Sequence, residues 1–172
     1  KLDAETAVSW ELGLRGQQDA VRYELTAFRM DFDNQIIPAN SNSDFQTTNG
    51  GKTYNQGFEG AVSLEFENGF DVFANLTWIA NAEFKGDRYN KNGSLKSKDG
   101  DRVPYTPEWV ANLGVGYTYA GLRSQLSANY TGSQFTDELN TKPIVENTSG
   151  FSTGKIYAYT TVDLTTRYTL ND

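Results

Sequence analysis

Apolar and polar residues alternate with a period of two in seven separate stretches of this chain, and nowhere does a helical period dominate. A strand with that pattern has one apolar and one polar face, so the chain reads as all-β, with one side of its sheet set against something apolar. The stretches run over about 6–16, 21–33, 53–67, 70–84, 108–119, 122–135 and 156–170. In the third, Tyr54, Phe58, Val62, Leu64 and Phe66 share a face with Gly60, against Asn55, Gly57, Glu59, Ala61, Ser63 and Glu65. The fourth aligns Phe70, Val72, Ala74, Leu76, Trp78, Ala80, Ala82 and Phe84, with Phe73 and Ile79 intruding on the polar side. The second changes phase, from Tyr23, Leu25 and Ala27 to Phe28, Met30 and Phe32. A bulge near Ala27 is expected to restore a single apolar face there.

The connections alternate in length. Short links fall near 17–19, 68–69 and 120–121, and long ones near 34–52, 85–106 and 136–155, each of about twenty residues rich in Asn, Ser, Gly, Thr, Lys and Asp. Loops beyond about 12–15 residues are uncommon in compact domains. Placed at every second connection, they gather at one end of an antiparallel up-and-down sheet, as the extracellular loops of an outer-membrane barrel do. The aromatic residues agree. Phe66, Phe70, Tyr117, Tyr119 and Tyr168 sit beside the short turns, and Tyr54, Trp78, Phe84, Trp109 and Tyr130 towards the long loops, as two bands at headgroup level. The mean hydropathy of −0.60 and the lack of a long apolar run bear on helical spans only, because barrel strands carry their membrane signal in alternation. The alternative is a secreted β-sandwich that binds carbohydrate on an aromatic platform, although sandwiches rarely keep every second loop so long.

Composition removes whole classes of chemistry. With no cysteine and no histidine, disulfide frameworks, thiolate nucleophiles, zinc fingers and Ser-His-Asp arrangements are excluded, and the chain is not expected to be an enzyme. A net charge of −7 argues against nucleic acid as a partner. Gly51-Lys52-Thr53 resembles the end of a phosphate-binding loop, but Gln46 stands where that motif needs glycine and a strand follows where it needs a helix. Asp99-Gly100-Asp101 lacks the spacing of a calcium loop and reads as a turn. Glu59, Glu65, Asp71 and Glu83 fall on the polar faces, where a barrel interior is polar by default. Residues 85–102 hold six cations against three aspartates, a local +3. Such a loop suits an anionic ligand or the phosphates of an outer lipid leaflet, and equally a loop that meets only water.

Several motifs, in order along the chain, resemble the TonB-dependent outer-membrane receptors. Glu5-Thr6 with Trp10-Glu11-Leu12-Gly13-Leu14-Arg15 is similar to a recurrent strand of that family, and Phe28-Arg29-Met30-Asp31-Phe32-Asp33-Asn34-Gln35-Ile36 to the strand that follows it. Gly57-Phe58-Glu59-Gly60 resembles the start of the next, and Val103-Pro104-Tyr105-Thr106-Pro107 the proline-marked return into a later one. Ser133-Gln134-Phe135-Thr136-Asp137, Asn140-Thr141 and Gly154-Lys155-Ile156 look like the corresponding loop of ferric citrate receptors.

The resemblance implies that residues 1–172 are part of the C-terminal barrel domain of a longer receptor of roughly 22 strands. The chain contributes about seven transmembrane strands, without TonB box, plug or last strands, and the start of the chain carries no export signal, as in an internal or mature piece. The implied function is uptake of a ferric siderophore or ferric citrate across the outer membrane of a Gram-negative bacterium. The implied partners are the chelate, TonB through the plug, and outer-membrane lipids. No cofactor is implied, since the iron travels only inside the chelate. On that reading Asn40, Asn42 and Gln46 hydrogen-bond a polar chelate, while Lys52 and Arg88 offset its negative charge.

Overall fold

The computed structural model describes residues 2–41, 44–90, 92–146 and 152–170. Seven long strands form one antiparallel sheet in chain order: β1 (Thr6–Gln18), β2 (Val21–Asp33), β3 (Lys52–Glu65), β4 (Phe70–Lys85), β5 (Trp109–Tyr119), β6 (Leu122–Thr131) and β7 (Tyr159–Tyr168). Each pairs with the next, which is the up-and-down order the alternating links predict. Asp19, Ala120, Gly69 and Gly121 adopt positive φ in the three short turns, as tight hairpin connections require. All three long connections leave from the other end.

Cross-strand partners share a face, so the register writes out the apolar surface row by row. One row is Leu12, Ala27, Phe58, Trp78 and Trp109. Another is Tyr23, Val62, Ala74, Leu113, Ala128 and Val162. Among the described residues nothing covers this face: Leu12 is 79% exposed and Leu164 71%. A sandwich would need a second sheet packed here, and among the described residues none is, so the sandwich alternative is set aside. Stacked rings border the face above and below. Phe58, Trp78 and Trp109 stack at centroid distances of 5.9 and 5.3 Å near the long loops, and Phe70 lies 4.5 Å from Tyr117 at the turn end. Eight residues separate the rows along β4 and β5. At about 3.3 Å per residue and a tilt near 40° this is ~20 Å, the order of an outer-membrane apolar band.

Two expectations from the alternation need correction. No bulge occurs near Ala27, because β2 pairs without a break with both neighbours. Its two apolar runs instead face opposite ways: Tyr23, Leu25 and Ala27 lie on the bare face, and Phe28, Met30 and Phe32 on the other. The irregularity sits in β4, where Ile79 and Ala80 together oppose Gly57. Ala82 and Phe84 therefore leave the face the alternation assigns them, and Phe84 is not part of the upper aromatic band. Phe84 is only 1% exposed and packs with Ile37 and Val103 beneath the long loops, beside Ala82 and Thr53. Glu83 moves the other way and accepts a hydrogen bond from the Tyr54 hydroxyl at 2.8 Å. The intruding Phe73 has a simple reason: its ring lies across its cross-strand partner Gly114, where any side chain would collide with it.

Glycine at 57 is required by space. A Cβ there would run into the Trp78 carbonyl. Gly57→Ala is expected to pry β3 from β4 at the bulge and cost about 1–3 kcal/mol. The check is a lowered Tm of the detergent-solubilised protein, with faster amide exchange at Ile79 than at Asn75.

Candidate functional site

The face opposite the bare one is polar and knit across strands. Arg123 forks onto both oxygens of Asp71 at 2.7 and 3.2 Å, and Arg22 meets Glu65 at 3.2 Å. Asn112 donates to Asn129, which donates to Asp163 at 2.9 Å. Glu59, Glu65 and Asp71 lie on this face, as the alternation requires, and Arg22 and Arg123 give the last two structural work.

The long loops fold on themselves before they meet one another. The first carries an antiparallel ribbon, Ile36–Ser41 with Asp44–Asn49. The second carries Arg88–Tyr89 with Leu95–Ser97, turned by Gly93 at positive φ with Asn90 donating its N–H to the Ser94 carbonyl at 2.8 Å. In the third, Gln134–Phe135 pairs with Lys155–Ile156 and Val145–Glu146 with Ser152–Thr153.

The Arg88 guanidinium then joins the loops, and that of Arg102 ties the second loop to the wall. Arg88 Nη1 donates to Glu138 at 2.9 Å, its Nη2 to the Asn49 carbonyl, and Lys96 Nζ lies 3.8 Å from Glu138 while donating to Thr48 Oγ1 at 2.9 Å. Residues from all three loops thus meet around one carboxylate that is 8% exposed. Burial pushes the Glu138 carboxyl above its usual range, against the pull of Lys96 and Arg88. Among the described residues Arg102 has no carboxylate in bonding range. It donates to the carbonyls of Thr106 at 2.7 Å, Ile79 at 2.9 Å and Pro107 at 3.3 Å, and its burial lowers its pKa. The carbonyl of Ile79 belongs to the bulge, and the Ile79 N–H is taken by the Glu108 carbonyl at 2.8 Å, so loop residues complete the hydrogen bonding that the bulge interrupts. Asn140 fastens the third loop to the second by exchanging bonds with the Arg102 backbone, both at 2.7 Å.

The residues singled out from the sequence fall in different places. Arg88 is in the clamp just described. Lys52 pairs with Asp33 at 3.5 Å and is 72% exposed, in register with the outward-facing side of the wall. Asn42 lies outside the described residues, as do the side chains of Asn40 and Gln46. Of the cations in 85–102, Lys91 also lies outside them, while Lys85 binds Asp31 at 2.6 Å and Arg88, Lys96 and Arg102 hold the loops. Sequence reasoning missed Glu138 and Asn140, whose partners are 38 to 50 residues away, and the bonding role of Arg102, whose guanidinium reaches back 23 residues to the Ile79 carbonyl. The turn Asn90 to Ser94, with Asn92-Gly93 at its tip, was the one local signal of a ribbon. Among the described residues no group of three or more acidic side chains is placed to hold a metal ion.

Removing one partner of a buried ion pair strands the other. Arg88→Ala is expected to cost about 2–4 kcal/mol of local stability and to raise amide exchange together at 48–51, 95–97 and 134–141. Glu138→Gln keeps an acceptor for Arg88 and sheds the cost of burying a charge, so its loss is smaller. The folded loops hold the Glu138 proton more firmly than the unfolded chain does. Protection is therefore greatest below the ordinary carboxylate range and falls as pH rises through the raised folded pKa, a dependence that Glu138→Gln flattens.

Residues 1–172 match the family described as "TonB dependent receptor-like, beta-barrel". The ferric enterobactin receptor PirA of Pseudomonas aeruginosa is 28% identical over 145 residues, covering 77% of this chain and 18% of PirA. The crystal structure of the unliganded ferric citrate transporter FecA superposes with a TM-score of 0.72 at 25% identity, over 96% of this chain and 24% of FecA. The ferric yersiniabactin uptake receptor FyuA of Yersinia pestis superposes with a TM-score of 0.66 at 22% identity, over 97% of this chain and 23% of FyuA, a likeness of fold. The chain thus spans 18% to 24% of the length of these proteins.

Proposed function

The chain belongs to the TonB-dependent receptor-like β-barrel family, and we propose that it forms part of an outer-membrane receptor for TonB-dependent uptake of a ferric chelate. In this reading the seven strands are a section of a larger closed wall, since both outer edges, β1 and β7, carry unpaired backbone groups that hydrocarbon does not tolerate. The observation that carries the reading is the bare apolar face, edged by two rows of rings ~20 Å apart, beneath three loops tied into one body. That is a surface for lipid below and a cover for a ligand above. The strands supply no catalytic machinery in this proposal; iron passes as cargo within the chelate, outer-membrane lipids contact the bare face, and TonB acts through parts of the receptor outside these residues.

The relatives' names support a ferric chelate as the cargo class, siderophore or ferric citrate. Asn40, Asn42 and Gln46 on the first loop are proposed to hydrogen-bond it. Lys52 and Arg88 are proposed to supply positive charge, and a ligand must compete with Asp33 and Glu138 for them.

The test uses the full-length receptor purified in detergent, titrated by tryptophan fluorescence with ferric citrate and with ferric enterobactin, alongside uptake of the radioactive iron complex in cells with and without TonB. Saturable binding of one ferric chelate and uptake that vanishes without TonB are expected. A protein that needs no detergent and binds neither complex would overturn the proposal.

A further inference from the structure

The outward side of the wall changes character immediately above its upper rings. Beyond the row that holds Phe58 and Trp78, the register sets Arg29 beside Gln56 and Asn81, and then Asp31 beside Tyr54 and Glu83. A third row sets Lys52 directly opposite Lys85, with Asp33 at its side. These rows continue the bare apolar face upwards, so they look away from the lumen. Lys52 lies six residues beyond Phe58 along β3. At about 3.3 Å per residue and a tilt near 40°, the belt climbs to ~15 Å above the rings.

Every carboxylate of the belt is engaged. Asp31 takes Arg29 on both oxygens, at 2.8 and 3.0 Å, and Lys85 at 2.6 Å. Glu83 takes the Asn81 amide at 2.5 Å and the Tyr54 hydroxyl at 2.8 Å. The ammonium groups are less fully used. Among the described residues Lys85 donates one hydrogen bond, and Lys52 has only its ion pair with Asp33 at 3.5 Å. Both lysines are exposed, and like charges directly opposite across two strands repel. The Tyr54 ring holds Arg29 and Lys85 at 5.0 and 4.9 Å, which gathers a third cation to the same place. An anion set between the lysines removes the repulsion and accepts the N–H groups that the carboxylates leave over.

Position selects the occupant. The belt is continuous with the face that meets lipid, so the head of that lipid is what lies against it. An ordinary phospholipid head extends about 5–8 Å beyond the hydrocarbon, far enough for Arg29 and too short for the lysine pair. A lipid whose head is built of linked sugars covers the whole belt. The Gln56 and Asn81 amides and the Tyr54 ring suit sugar hydroxyls and sugar faces, and the lysine pair suits phosphate carried on the sugar.

We propose that the belt around Lys85 and Lys52 binds the phosphorylated sugar headgroup of an outer-leaflet glycolipid. The inference rests on the outer-membrane placement in the uptake reading and goes beyond it. Because Lys52 also has a proposed role towards the chelate, the substitutions fall on Lys85. The full-length receptor in detergent is titrated with lipopolysaccharide, with the same lipid stripped of phosphate, and with phosphatidylglycerol, and bound lipid is followed by native mass spectrometry. The expected result is tightest binding of the phosphorylated glycolipid, at least fivefold weaker in Lys85→Glu and close to wild type in Lys85→Arg. Heat-modifiable gel mobility shows that each variant is folded. Equal binding of the dephosphorylated lipid, equal binding of phosphatidylglycerol, or unchanged affinity in folded Lys85→Glu overturns the inference. Titration of the same preparation with ferric citrate and ferric enterobactin reports on the uptake reading separately. A chelate bound without preference among the lipids removes the inference alone, and the lipid preference without a bound chelate removes the uptake reading alone.

Discussion

A sheet that faces hydrocarbon on one side has to keep its ladder of backbone hydrogen bonds unbroken for as long as lipid surrounds it. The wall obeys this closely. From the turn-end rings to the Trp78–Trp109 pair every register runs without a shift, and the one shift in the wall comes immediately beyond Trp78. Once the strands have left the apolar band, the ladder is free to be cut, and Gly57, Ile79 and Ala80 cut it there. Much of what lies above follows. The bulge turns Phe84 inward, Phe84 gives the loops a small core, and the open backbone groups at Ile79 are what Arg102 and Glu108 bind.

The loops rest on polar chemistry more than on burial of apolar groups. Their apolar core is small, and Arg88, Lys96 and Glu138 carry charge into a partly buried position between three segments. Ion pairs of this kind add little net free energy compared with apolar packing, but they restrict geometry, since a misplaced partner leaves a charge stranded. Arg102 extends the same logic to neutral partners. A planar fork reaching three carbonyls fixes the return of the chain into β5, and the compact ammonium of a lysine has no equivalent geometry.

The wall was legible in the sequence because alternation and link length are local signals that burial in lipid makes strict. All seven strands lie within a few residues of where the periodicity puts them; the largest differences are at the end of 122–135 and the start of 156–170, where Gln134–Phe135 and Lys155–Ile156 pair in a loop ribbon outside β6 and β7. The phase change in β2 was legible too, but its meaning was not. A sequence does not mark where the membrane stops, and beyond that height an inward apolar residue and an outward polar one obey a different solvent. The extra residue in β4 was hidden for a related reason: Ala80, Ala82 and Phe84 continue the alternation by eye, and only the collision that any side chain at Gly57 would cause discloses the bulge. The loop partners were beyond reach, because a contact between positions 88 and 138 leaves no periodic trace.

The ion pairs of this protein divide by solvent access, and that division sets how they respond to the medium. Arg22–Glu65 and Lys52–Asp33 are exposed on both sides, so dissolved salt screens them. Arg88–Glu138 is largely withdrawn from water, and counter-ions reach it poorly. The cohesion of the three loops therefore depends less on dissolved salt than the pairing along the strand ends does, because the ions that weaken the exposed pairs do not reach the carboxylate between the loops.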